Sequence, residues 1–188
     1  SSFVTWGLND QDIAIINTGT LGVTYAKGMM TTVMAVGVKP DGTVTAVGTE
    51  AINQVRFEPN VQSVFIRSQF AAFSPGSPST VTSLDLNPHL NYTVKTLPPA
   101  QREPSLGDPR AVEWLTSGKG YVAGMGSNNV VVIDGAGGRS GLINVGQGPT
   151  GIALSPAISR AFVLNRFDGT VSTIDTSSDT EISRIAFF

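Results

Sequence analysis

Repeated four-stranded antiparallel sheets, with almost no helix, are the fold that the sequence predicts, on three observations. Twenty-one glycines and eleven prolines divide the 188 residues into short segments. Those segments alternate Val, Ile and Thr with polar residues, as strands do on a pleated surface. One pattern of strands and turns then returns at a spacing of about 40 residues, the length of a four-stranded repeat unit. No stretch keeps apolar residues at i, i+3, i+4 and i+7 for three turns, so a helical reading fails.

The last third of the chain carries the clearest copy. Gly148-Pro149-Thr150-Gly151 opens a strand through Ile152-Ala153-Leu154-Ser155, and Pro156 closes it. Residues 160–165 form a second strand, Asp168-Gly169 a turn, and residues 170–175 a third strand that ends in Ile-Asp. The segment 181–186 serves as the fourth, while 181–188 also resembles the first strand of a following unit. An earlier copy has Gly107-Asp108-Pro109-Arg110 as its opening turn, strands at 111–115 and 120–124, and a third at 128–134 that again ends in Ile-Asp.

A third copy is degraded: residues 33–38, the turn Lys39-Pro40-Asp41-Gly42, then 43–47. Insertions at about 50–62 and 90–106 lengthen it, and 63–73 and 80–85 supply the remaining strands; the competing count places an extra degenerate unit there. Residues 3–5 and 12–17 read as the second half of another unit.

Each such sheet is apolar on both faces and cannot shield itself, so copies must stack about a common axis, which is a β-propeller. The continuous apolar runs at 130–133 and 13–16 suit strands sandwiched between neighbours. The expected architecture is an all-β propeller fragment over residues 1–188, with about three complete four-stranded blades and partial blades at both termini. An unclosed propeller leaves a sheet edge and an apolar face in water. Further blades of a longer polypeptide, a second copy pairing through the exposed blade edges, or closure of the termini on each other would cover them.

Composition removes several functions. A net charge of -2 with 14% charged residues offers no basic field for nucleic acid. The chain has no cysteine and one histidine, His89. Disulfides, thiolate metal sites and a multi-histidine zinc site are therefore excluded. No apolar run approaches the roughly 18 residues of a membrane-spanning helix.

The first insertion is the strongest candidate for an interaction loop, since a minimal blade does not need it. Asn53, Arg56, Phe57, Glu58 and Asn60 are its candidate contact residues, and a covering flap with Arg56 paired to Glu58 is the plain alternative. His89, in Asn87-Pro88-His89, is either a loop ligand or a capped turn residue. Asp134 and Asp175 recur at equivalent positions, which points to turn capping in place of catalysis or calcium binding. The glycine-rich stretches 124–126 and 135–138 lack the Lys-Ser/Thr of a phosphate loop and read as hairpin turns. Trp6 and Trp114 read as residues packed between blades. No catalytic, cofactor or metal residues are assigned.

The phrases Gly146-Gln147-Gly148-Pro149-Thr150-Gly151, Phe162-Val163-Leu164-Asn165-Arg166-Phe167 and Val171-Ser172-Thr173-Ile174-Asp175 resemble YVTN-family β-propeller repeats, strongly over about residues 105–188. Residues 53–60, 85–89 and the ending Arg184-Ile185-Ala186-Phe187-Phe188 resemble bacterial propellers that continue into a cytochrome c or di-haem peroxidase-like domain. The resemblance implies an extracytoplasmic (periplasmic or cell-surface) location and a non-catalytic binding or scaffold module. It also implies a protein partner or adjacent cytochrome domain. Without cysteine this chain cannot attach haem c, so that cofactor is implied only for a downstream domain. The alternative class is a propeller enzyme, lactonase-like or quinoprotein-like, that holds a small molecule in its central funnel.

Overall fold

In the computed structural model, residues 10–52, 65–94 and 96–187 are described. They form one two-stranded and three four-stranded sheets, each an antiparallel meander of strands consecutive in sequence. The two-stranded sheet pairs β1 (Ile13–Ile16) with β2 (Val23–Ala26). The first blade contains β3 (Thr32–Val38), β4 (Val44–Ala51), β5 (Ile66–Phe73) and β6 (Thr82–Asp85). A single turn of helix, α1 (Pro99–Arg102), interrupts the connection that follows, with Pro98 and Pro99 fixing its start. The second blade contains β7 (Pro109–Trp114), β8 (Gly120–Gly124), β9 (Asn129–Ile133) and β10 (Arg139–Asn144). The third contains β11 (Pro149–Ser155), β12 (Arg160–Asn165), β13 (Thr170–Asp175) and β14 (Thr180–Ala186).

These are β-propeller blades, and the alternation of side chains along each strand makes the stack. In β9, Val131 and Ile133 join Val47, Phe70, Val112 and Trp114 in a core shared with the first blade. Their neighbours Val130 and Val132 point the other way, into a core with Tyr121, Ala161, Val163 and Ile174 shared with the third blade. A one-residue period of two thus serves two interfaces at once, which is why the run 130–133 contains no polar residue. A third core joins Ala26, Met29 and Met30 to Ala46, Ala71 and Phe73 of the first blade.

The run 13–16 behaves differently from expectation. Ile13 and Ile15 pack on that third core, but Ile16 is 58% exposed, because no sheet among the described residues lies on its other side. Residues 32–85 make one blade, not one blade plus a degenerate copy, and 180–186 pair with β13 as its fourth strand. The β4–β5 ladder also runs further than the sequence suggests, with Glu50 opposite Arg67 and Ala51 opposite Ile66. The first insertion accordingly opens after Ala51.

The opening turns show how closely the repeat is kept. Asp108 (φ 50) and Gly148 (φ 65) both take a left-handed conformation immediately before the proline. Their carbonyls accept from Met125 N–H at 3.0 Å and Arg166 N–H at 2.9 Å. Asp108, not Gly107, is therefore the structural counterpart of Gly148; aspartate is among the few side chains that tolerate this region.

Trp114 lies between the first two blades as expected, 8% exposed. Its ring meets Phe70 edge-on at 6.2 Å, and its Nε1–H donates to Thr45 Oγ1 at 2.9 Å. On the other side of the second blade, Lys119 Nζ donates to Asp179 at 2.8 and 3.0 Å and to the Thr176 carbonyl at 2.6 Å. The Tyr121 hydroxyl donates to the same carboxylate at 2.6 Å. Burial and the Asp179 charge raise the phenol far above its ordinary value, so Tyr121 is a fixed donor tying two blades together.

Asp134 and Asp175 cap their turns, as the repeat predicts: Asp134 Oδ1 accepts from Ala136 and Gly138 N–H, and Asp175 Oδ1 from Ser177 N–H. The Ser177 amide holds the Asp175 carboxyl below its usual 3.8, and the Gln147 amide does the same for Asp168. A lowered folded-state pKa supplies stability above the unfolded value and loses it as pH falls through the folded one. Stability should therefore hold from neutral pH to about pH 4 and decline below it, read by urea unfolding at stepped pH, with Asp175→Asn flattening the decline. An acid profile unchanged by that substitution would contradict the capping role.

Candidate functional site: a cavity on the loop face

The antiparallel meander sends connections to two ends of the stack. Thr32, Ala51, Ile66 and Asp85 mark one end of the first blade by their pairing, and Pro109, Gly124, Asn129 and Asn144 mark the same end of the second. Contacts across blades fix the correspondence, since at the opposite end Trp114 of the second blade donates to Thr45 of the first. Both long connections, 52–65 and 86–108, leave and rejoin the blades at this end. Among the described residues, the opposite end carries shorter connections such as 39–43, 115–119 and 134–138, the longest being 74–81.

The connection 86–108 is fastened at its base. Asn87 is 5% exposed; its Nδ2–H donates to the Leu106 carbonyl at 2.9 Å, and its Oδ1 accepts the Leu106 amide at 2.7 Å. The hydroxyl of Ser68 donates to that same carbonyl at 2.7 Å. From the outer edge, the Arg139 guanidinium donates to the carbonyls of Leu86 and Pro104 and to Asn87 Oδ1, while Asn129 Nδ2–H donates to the Ser105 carbonyl. Reciprocal amide pairing of this kind makes a rigid two-point clamp, so the connection is a fixed rim.

Between that rim and the first blade lies a cavity of about 460 Å³. Its apolar wall includes Met34, Ile66, Leu90 and Leu106, and its polar wall Arg67, Tyr92 and Asp108. The Arg67 guanidinium stacks 4.3 Å from the Tyr92 ring centre. Burial and the nearby Asp85 raise the Tyr92 phenol well above its ordinary value, so it stays neutral. Asp108 is engaged by Arg110 through two bonds of 2.9 and 3.1 Å.

Asn53, Arg56, Phe57, Glu58 and Asn60 lie outside the described residues. His89 is exposed beyond the end of β6, with its Nε2 3.4 Å from Ser105 Oγ. It lines a separate cavity of about 590 Å³ with Pro88, Arg139 and Leu142. Partial burial and the positive Arg139 lower its pKa, which favours a neutral ring. Among the described residues, no group of three His, Cys, Asp or Glu side chains could hold a metal ion, and no helix is long and apolar enough to cross a membrane. Sequence reading missed Arg67, Tyr92 and Asp108. A cation inside an otherwise strand-like run, Phe65-Ile66-Arg67-Ser68, was the available signal for the first of them.

No family model matches the chain, and no curated protein matches it. Solved structures do. Hydrazine synthase of Kuenenia stuttgartiensis matches with a TM-score of 0.64 at 14% identity, over 88% of this chain and 55% of that one. A nidogen/laminin complex matches at 0.63 and 9% identity, over 94% and 56% of the two chains. A functionally unknown protein of Desulfotomaculum acetoxidans matches at 0.55 and 14% identity, over 88% and 44%. Likeness at these identities shows the fold alone, and the chain spans about half the length of the structures it matches.

Proposed function

We propose that this chain is a non-catalytic binding and scaffold module, a rigid set of propeller blades that presents its loop face to a protein partner. The carrying observation is the placement of both long connections at one end of the stack, with shorter connections among the described residues at the other. The resemblance to YVTN-type repeats and to cytochrome-linked bacterial propellers suggests an extracytoplasmic setting and an electron-transfer cytochrome domain as the partner, with haem c held there. Hydroxyl-radical footprinting of the chain with and without such a cytochrome module tests this. Val94 and Phe167, 44% and 63% exposed on the loop face, should lose reactivity, and Ile158, 59% exposed at the opposite end, should not. Protection confined to Ile158 would overturn the reading.

Scaffolding extends to the open face of the third blade. One side of that sheet is buried against the second blade through Ala161, Val163 and Ile174. The other carries Phe162, Leu164 and Val171 around a shallow apolar hollow of about 320 Å³, with Leu164 42% and Ile185 64% exposed. A blade of a longer polypeptide or a second copy covers such a surface at a gain of about 25 cal/mol per Å² of apolar area. Sedimentation of this chain alone should show self-association that Leu164→Asp weakens; a concentration-independent monomer would count against an open blade.

A second reading, a propeller enzyme with a small-molecule substrate, draws its support from the cavity beside Arg67. A chain that turns over none of a panel of lactones would remove its hydrolase form.

A further inference from the structure

We propose that the loop-face cavity binds a monocarboxylate with an apolar body, its carboxylate seated on Arg67; this rests on the reading of the chain as a binding module and names the ligand chemistry of that face. The argument begins with an unbalanced charge. Arg67 stands opposite Glu50 in the β4–β5 ladder, yet Glu50 Oε2 is taken by the Thr31 amide at 2.6 Å and the Thr31 hydroxyl at 3.0 Å. Arg67 forms no ion pair among the described residues. Its Nε is buried, with no hydrogen-bond acceptor among the described residues.

The described acidic and hydroxyl neighbours each carry other contacts. The Asp108 carboxylate is held in two bonds by Arg110. Tyr92 keeps its proton, and its hydroxyl lies 3.5 Å from the Asn87 carbonyl. Asp85 accepts the Asn87 amide at 2.7 Å. Arg67 is half-buried, and the contact that remains is stacking on an aromatic ring, which uses none of its in-plane N–H donors. A guanidinium held this way has donors to offer, and it lines a cavity with room for an anion.

The shape and walls of the site specify the anion. A guanidinium presents parallel N–H donors that match a planar carboxylate in two-point fashion. A phosphate dianion calls for a cluster of cations, but Arg67 is the one cation among the described lining residues, in a chain of net charge -2. Met34, Ile66, Leu90 and Leu106 supply an apolar wall for the rest of the ligand. At about 460 Å³ the cavity falls in the size range of small-molecule sites. The carboxylate could come from a free organic acid or from the C-terminus of an apolar peptide, and the chemistry at Arg67 is the same.

Calorimetric titration of the whole chain with phenylacetate and 4-phenylbutyrate, against phenylacetamide and inorganic phosphate, tests the inference. The acids should bind at least about tenfold tighter than the amide, and Arg67→Gln should remove about that factor while Arg67→Lys removes part of it. An apolar tetrapeptide and its C-terminal amide form a second arm: preference for the free peptide acid over both aryl acids assigns the carboxylate to a chain terminus. On the unmodified protein, NMR shifts induced by phenylacetate should centre on Met34, Ile66 and Tyr92, a readout that does not depend on a variant folding. Equal binding of acid and amide, tighter binding of phosphate, shifts confined to the His89 cavity, or no binding by any acid or peptide would each overturn the inference. Footprinting by a cytochrome module would be unaffected by any of these results, so the two readings fail separately.

Discussion

Phe70→Ala is expected to cost the chain about 3–5 kcal/mol, the range for deleting a fully buried aromatic ring, and to lower Tm by roughly 10 °C. The ring is 1% exposed and sits in the core between the first two blades with Val47, Val112, Trp114 and Val131. Its edge-on contact with Trp114 at 6.2 Å holds the indole where its Nε1–H reaches Thr45 across the interface. Removing Phe70 therefore leaves a cavity and frees a second aromatic to move. Urea unfolding should show a lower midpoint with an unchanged slope. A loss under about 1 kcal/mol would mean that the two blades do not share this core.

Gly137→Ala is the second large effect, expected at about 3 kcal/mol, and its cause lies partly in the same ring. Gly137 has φ +92, a conformation strained for any L side chain, and a Cβ there would stand 2.3 Å from a Phe70 ring carbon. Backbone strain of about 1–2 kcal/mol adds to an overpacking cost of about 1–3 kcal/mol. The turn cannot easily move away, because Asp134 Oδ1 caps the Gly138 amide at 2.8 Å and the Gly137 amide donates to the Asp134 carbonyl. Since the two substitutions meet at one contact, they should not add. The double variant Phe70→Ala with Gly137→Ala is expected to be at least about 1 kcal/mol more stable than the sum of the single losses, read from the same urea curves. Strict additivity would place the Gly137 cost wholly in the backbone.

How much of this was legible beforehand depends on the range over which each feature is encoded. Residues 107–186 were readable because each strand carries its own apolar alternation and each turn its own Gly, Pro or Asp. The left-handed residues Gly42, Asn128 and Gly169 stand where the Asp-Gly and Asn-Asn turns were placed. The first blade was harder because Ala35, Ala46, Ala71 and Ala72 fill core positions with side chains too small to stand out in an alternation. Ile16 departs from that pattern because a continuous apolar run says nothing about which of its faces finds a neighbour. The cavity was illegible for a different reason. Met34, Arg67, Tyr92 and Asp108 come from four segments that only tertiary packing brings together, and Arg67 declares itself only through acceptors already used by others. His89 was conspicuous as the sole histidine, yet it stands in a different hollow from the unbalanced cation.

Every sheet is built from strands consecutive in the chain, and each blade leans only on the next, which bears on how the molecule assembles. Each ladder joins strands that are neighbours in the chain, so the loop closed in forming any one blade is limited to the length of that blade, and assembly can spread from blade to blade like a zipper. The second blade, packed on both sides, is the natural seed and the last to open. The two-stranded sheet, held among the described residues by one core, is the place where fraying begins.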